Sequence, residues 1–229
     1  VTVHVGTKVL GISGEGGRVK SVESEVGTHE ADLVILATGV RPNVDIAREA
    51  GLELGPTGAL RVDRQLRTSD PDIFAGGDLV ENVHLVTGRP CYIPLGSTAN
   101  KHGRVIADAI HGLPTEFPGV LGTFVCKAFD FNVGSTGLNE TAARAAGYDV
   151  VCVNVPGFDR AHYYPDAEII GLKTVVERES GRLLGLQAVG KGDVARRVDV
   201  AATAISLGAK ADDLPVLDLA YAPPYAAAL

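Results

Sequence analysis

Residues 68–78, TSDPDIFAGGD, constrain this chain more than any other stretch of it. After a polar turn of Thr, Ser, Asp and Pro, the triplet Ile73-Phe74-Ala75 reads as a short strand. It runs into Gly76-Gly77 and stops at the carboxylate of Asp78. A glycine pair carries no Cβ, so its backbone can pass close to a ligand. An aspartate at the carboxyl end of a strand can accept a hydrogen bond from a sugar-alcohol hydroxyl, and ligands of open α/β sheets gather at such ends. The plainer alternative is a strand closed by a tight turn with a capping Asp.

The flanking sequence reads as α/β upstream and α+β downstream. Residues 1–5, 9–12 and 18–26 carry strand patterns, with turns at Ser13-Gly14-Glu15-Gly16-Gly17 and at Gly27-Thr28. Leu33-Val34-Ile35-Leu36-Ala37 is continuously apolar, as in a strand buried on both faces. Glycines 11, 14, 16 and 17 lack G-x-G-x-x-G spacing and no helical pattern follows, so a hairpin turn is expected there rather than a phosphate loop. Pro42 stops the next strand, and Asn43 can cap a helix over residues 44–50 that Gly51 ends. Residues 58–63 alternate like a strand. Residues 97–111 read as a helix, with Ala99, Val105, Ile106, Ala109 and Ile110 as its apolar stripe and Ser97 or Thr98 as its cap. Gly112-Leu113-Pro114 marks a boundary. Beyond it come strand patterns at 123–129, 150–155, 169–176 and 183–189. Helix patterns lie at 139–146, capped by Asn139, and at 194–207.

Composition narrows the class. The 229 residues, 45% hydrophobic and 21% charged, describe an ordinary globular chain, and a net charge of −7 argues against nucleic acid as a partner. No apolar run reaches the ~18 residues needed to span a bilayer, and no signal peptide is recognisable, so no membrane association and a cytoplasmic location are expected. Cys91, Cys126 and Cys152 contain no CxxC pair, which argues against a disulfide framework and against a zinc site. The chain begins at Val1 and contains no Met, as expected of a fragment of a longer protein.

Four motifs together resemble the pyridine nucleotide-disulfide oxidoreductase superfamily. The TSDPDIFAGGD segment resembles its second FAD fingerprint, whose aspartate holds the ribityl chain of the flavin. Ala37-Thr38-Gly39-Val40-Arg41-Pro42-Asn43 resembles the crossing from the NAD(P)H domain to the FAD domain, where Gly39 would let the backbone pass the cofactor. Residues 58–68 resemble the approach to the flavin aspartate. Ala99-Asn100-Lys101-His102-Gly103-Arg104 resembles the A-N-x-x-G-R helix, whose N-terminus faces the pyrimidine end of the flavin; Gln is common in the family where His102 stands. Free N–H groups and the positive end of a helix dipole stabilise negative charge on a reduced flavin. The resemblance implies three parts: residues 1–43 as the end of an NAD(P)H-binding domain, 44–112 as the end of an FAD-binding domain, and 113–229 as an α+β dimerisation domain. It implies FAD and NAD(P)H as cofactors, with Gly39, Gly77, Asp78, Ala99 and Asn100 at the flavin, and a homodimer formed through the C-terminal domain.

Two aromatic patches carry the remaining signal. His162-Tyr163-Tyr164-Pro165 and Ala220-Tyr221-Ala222-Pro223-Pro224-Tyr225 stand out in a chain with 5% aromatics, and the prolines pre-set the second loop. They resemble segments of the coenzyme A-disulfide reductase and NADH oxidase branch, whose tyrosines reach into the active site of the partner subunit. The resemblance makes Tyr163, Tyr164 and Tyr221 the catalytic candidates, able to hydrogen-bond a substrate thiolate or leaving sulfur. Alignment on Pro165 favours Tyr164, with Tyr163 beside it, and the plainer alternative is packing at the dimer interface. The segment 188–199 also resembles this branch. A strand, turn and helix with a solvated basic turn is preferred there over coenzyme A phosphate binding. The family's redox cysteine lies after an N-terminal G-x-G-x-x-G that this sequence lacks, so none of the three cysteines is assigned as nucleophile.

The implied activity of the intact protein is FAD-dependent reduction, by NAD(P)H, of coenzyme A disulfide or of a coenzyme A persulfide or polysulfide. On the same scaffold the alternative is a water-forming NADH oxidase. In a different class stands a non-catalytic dimerisation module, with the fragment alone expected to be inactive.

Overall fold

Gly16 and Gly17 take φ values of +57° and +77°, the left-handed region that a two-residue hairpin turn demands. They join β1 (Val9–Glu15) to β2 (Arg18–Ser24), which pairs in turn with β3 (Gly27–Glu30) in an antiparallel three-stranded sheet. Strand β1 therefore runs through Ser13, Gly14 and Glu15, and the turn is narrower than the five-residue cluster suggests. Residues 1–5 and 33–37 lie in no strand. A doubly buried strand needs neighbours on both edges and apolar cover on both faces. Here the edges of β2 are taken by β1 and β3, and Leu33, Ile35 and Leu36 are exposed.

In this computed structural model, which describes residues 1–227, the hairpin sheet belongs to a first unit, Val1–Arg41. The second unit begins at Pro42. Helix α1 (Asp45–Glu49) starts from Val44 with no side-chain cap, so Asn43 does not cap it. The helix ends as expected at Gly51, whose φ is +75°. Residues 52–80 are held by single bridges rather than regular strands: Leu54 with Leu60, Leu60 with Val80, and Arg67 with Phe74. Ala47, Leu60, Ala75 and Val80 form their small core. The triplet Ile73-Phe74-Ala75 is thus extended but bridged at one residue, and Asp78 falls in a 3-10 turn, Gly77–Leu79. A short ribbon of β4 (Asn82–Val83) and β5 (Pro90–Cys91) leads to helix α2 (Gly96–Ile110).

A five-stranded antiparallel sheet follows, in the order β6-β7-β10-β9-β8. Its strands are β6 (Phe124–Ala128), β7 (Phe131–Gly137), β8 (Val150–Phe158), β9 (Ile169–Glu177) and β10 (Leu183–Gly190). Asn139 caps α3 (Glu140–Ala145), its side-chain oxygen accepting from the Ala142 N–H at 2.8 Å. Helix α4 (Ala195–Ser206) covers one face of the sheet, burying Val194, Val198 and Ala201 against Ile170, Leu186 and Ala188. The other face bears exposed Phe124 and Val189, which help line a groove of about 580 Å³. No helix among the described residues is long and apolar enough to cross a membrane.

Candidate functional site

The Gly76-Gly77-Asp78 turn is built against α2. A Cβ on Gly76 would stand 2.9 Å from the Cβ of His102 and 3.0 Å from the Cδ1 of Ile106, so only glycine fits there. Gly77 has a φ of +79°, which an L side chain rarely adopts. Its N–H donates to Nδ1 of His102 at 3.0 Å. His102 is fully buried, stacked edge-on with Phe117 at 4.4 Å between ring centroids. With Nδ1 accepting, the imidazole proton sits on Nε2, which finds no partner among the described residues. Burial holds the pKa of His102 below its ordinary value, which keeps the ring neutral.

The turn leaves Asp78 exposed, its carboxylate in none of the ion pairs of the described residues. Its carbonyl accepts from the Tyr92 hydroxyl at 3.0 Å. Helix α2 starts beside it from Leu95 without a side-chain cap, because Ser97 and Thr98 lie inside its first turn. Ala99 is half-buried at 3.6 Å from the Cβ position of Gly77, and Asn100 is exposed one residue on. Gly39 lies in the first unit with a φ of +85°, and a Cβ there would meet nothing within 4 Å. A free carboxylate, a glycine pair that keeps side chains out of the way and an uncapped fifteen-residue helix form a donor set that suits a polyhydroxyl chain ending in an electron-rich ring.

The aromatic patches meet elsewhere in the second unit. Tyr163, in the loop between β8 and β9, lies close enough to Tyr221 that the neighbouring phenol raises its pKa. The main chains are joined as well, Ala161 N–H to the Pro223 carbonyl at 3.3 Å. Arg196 of α4 holds the Tyr225 carbonyl. Tyr163 and Tyr221 are 66% and 53% exposed, and Tyr164 is 37% exposed. Alignment on Pro165 favours Tyr164, yet the contact to Tyr221 belongs to Tyr163. No hydrogen bond or ion pair among the described residues links this pair to the Asp78 turn.

The cysteines lie outside both clusters. Burial, with Glu81 nearby, pushes the Cys91 thiol up to about 11, and burial with Glu140 beside it raises Cys152. Neither favours the thiolate that disulfide exchange needs.

Sequence reasoning missed three residues that shape these clusters: His102, Tyr92 and Asp159. His102 had a signal, for it falls between Ala99 and Val105 on the apolar stripe of α2, where a polar group requires a partner. Tyr92 had none, since its partner is a distant main-chain carbonyl, and of the Asp159 partners only the adjacent Arg160 is a side chain, which by itself marks no site.

Comparison with known proteins places the chain in a family. Residues 1–103 match the family described as pyridine nucleotide-disulphide oxidoreductase, and residues 123–229 match its dimerisation domain. The chain is 44% identical over 218 residues to an NAD(P)H sulfur oxidoreductase (CoA-dependent) of Pyrococcus abyssi, covering 95% of this chain and 48% of that protein. It is 35% identical over 207 residues to an NADH oxidase of Methanocaldococcus jannaschii, covering 90% and 46%. Among solved structures it superposes on a NAD-dependent persulfide reductase from A. fulgidus with a TM-score of 0.93 and 49% identity, covering 97% of this chain and 42% of that one. The chain spans about half the length of the curated relatives it matches.

Proposed function

The chain belongs to the pyridine nucleotide-disulphide oxidoreductase family, and on that premise we propose that the whole protein is an FAD-dependent enzyme. It spends NAD(P)H on reducing a coenzyme A disulfide, persulfide or polysulfide. Residues 1–43 close its NAD(P)H-binding domain, 44–112 close its FAD-binding domain, and 113–229 form the dimerisation domain. Asp78 accepts a hydrogen bond from the ribityl chain, Gly77 and Gly39 let main chain pass the cofactor, and Ala99 and Asn100 present the start of α2 to the flavin ring. When bound, FAD supplies the means to carry two electrons from a nicotinamide to sulfur.

The observation that carries the sulfur chemistry is that Tyr163 and Tyr221 stand beside each other, their segments joined by the main-chain bond from Ala161 to Pro223. Reduction of a disulfide consumes two electrons and two protons and releases two thiols. A phenol held in place can hydrogen-bond the departing sulfur and supply one of those protons as the S–S bond breaks. Its place beside Tyr221 supports Tyr163 over Tyr164 for this work. The open face of the five-stranded sheet is the surface on which a second copy docks, bringing the tyrosines of one subunit to the flavin of the other. The reading also follows the sulfur-reducing relatives, which are more similar to this chain than the NADH oxidase named above.

The test is turnover by the full-length flavoprotein with NAD(P)H. Coenzyme A disulfide or persulfide should oxidise the nicotinamide faster than oxygen does, and Tyr221→Phe should slow that reaction with flavin still bound. Oxygen as the preferred acceptor would replace this reading by an NADH oxidase. Unaltered turnover in the variant would return the tyrosines to packing.

A further inference from the structure

Beneath the tyrosine loop lies a carboxylate to which no role has been assigned. Asp159 directly follows β8, and its side chain is 1% exposed. Five hydrogen bonds from four donor nitrogens converge on it, and every partner is a donor. Arg160 contributes its Nε, at 3.2 and 3.3 Å from the two carboxylate oxygens, and its second guanidinium nitrogen at 2.9 Å. The Glu168 N–H reaches Oδ1 at 3.0 Å and the Asp193 N–H reaches Oδ2 at 3.3 Å. In return the Asp159 N–H donates to the Glu168 carbonyl at 2.9 Å, so the loop of residues 160–167 is clamped at its base from both directions. The turn below leaves no slack. A Cβ on Gly192 would stand 2.6 Å from the Cβ of Asp159, and the Asn132 side chain donates to the carbonyls of Lys191 and Gly192 at 3.0 and 2.9 Å. Burial raises the Asp159 pKa, but Arg160 and the two N–H groups outweigh it and hold the carboxyl below its ordinary range, so the clamp is ionised.

What the clamp holds is the loop that carries Tyr163 to Tyr221. Among the described residues, the one hydrogen bond from that loop to the tail is Ala161 to Pro223, and both tyrosines are more exposed than not. Their alignment therefore depends on the base. We propose that Asp159 is a positioning residue for the sulfur half-reaction: it touches no substrate, but sets the place of Tyr163 by fixing the ends of the β8–β9 loop to the turn before α4. This rests on the reading of Tyr163 and Tyr221 as the groups that meet the substrate sulfur.

The test is a double-mutant cycle in the full-length holoenzyme with coenzyme A disulfide. Asp159→Ala should lower kcat on the order of ten- to a hundredfold, the scale of a small misplacement of a reacting group. KM should change little, and so should the rate at which NAD(P)H bleaches the flavin. In the Tyr163→Phe background the same substitution should cost nothing further. Asp159→Asn decides the matter if the alanine variant fails to fold. It preserves volume, but every partner of the carboxylate is a donor, so its amide NH2 must face one of them, and kcat should again fall only while Tyr163 is present. Wild-type kcat in the asparagine variant, losses that multiply in full with Tyr163→Phe, or an equal loss in flavin bleaching would overturn the proposal. If Tyr163→Phe and Tyr221→Phe each leave kcat unchanged, the reading of the tyrosines fails first, and the cycle shows this before Asp159 is touched.

Discussion

Replacing His102 by Leu probes the joint between α2 and the Gly77 turn. The imidazole is fully buried and accepts the Gly77 N–H at 3.0 Å through Nδ1. Leucine has similar bulk and no acceptor, so a half-buried donor loses its partner. Stranding a donor costs about 1–3 kcal/mol, and that is the expected fall in unfolding free energy at pH 7.5. A second signature follows from titration. The folded state holds the His102 pKa below its ordinary value through burial, so the unfolded chain binds the extra proton first as pH falls below about 6.5. Stability is complete above that pH and declines below it, by up to about 1.4 kcal/mol per pH unit for one proton. His84, also buried with Nδ1 accepting a backbone N–H, from Val86 at 3.2 Å, contributes with the same sign. Urea unfolding followed between pH 7.5 and 5 should therefore show His102→Leu with a lower plateau and about half the acid slope. A variant as stable as wild type, with the full slope intact, would refute the neutral-acceptor role.

Three further outcomes are expected. Asn139→Ala removes the cap of α3 and should cost about 1 kcal/mol in thermal or urea unfolding, with no effect on flavin content. Val189→Asp puts a charge on the open face of the five-stranded sheet and should shift sedimentation of the protein from dimer to monomer. Gly192→Ala drives a Cβ to within 2.6 Å of the Asp159 Cβ and should destabilise by about 1–3 kcal/mol, measured by thermal unfolding.

The sequence was most informative where its pattern is local. Helices α2, α3 and α4 and four of the five strands of the large sheet lie close to where periodicity puts them, and the Asn139 cap is in place. The missed strand, β7, reads Phe-Asn-Val-Gly-Ser-Thr-Gly. Its glycines and polar residues hide a strand that is specified by its neighbours: Gly134 runs under α4, where a Cβ would meet Val198 at 2.7 Å. The opposite error came at residues 1–5 and 33–37, where strand-like composition meets no pairing edge in the described chain. Ile110 likewise belongs to the stripe of α2 by spacing, yet it is 63% exposed at the last turn. The sequence named Asp78, Gly77 and the tyrosine segments because they sit in short contiguous motifs. It missed the His102 contact to Gly77, twenty-five residues away, and the Asp159 clamp, because the long-range bonds of both are made by main-chain N–H groups that carry no side-chain signature.

Flavin retention tests the account most directly. In the full-length protein, Asp78→Ala removes an exposed, unpaired carboxylate and leaves the Gly77–His102 bond in place, so the fold should survive while bound FAD is lost on dialysis. Absorbance of the purified variant against wild type measures this. A nearly colourless, folded protein is the predicted result; a full complement of flavin would contradict the assignment of Asp78 to the cofactor.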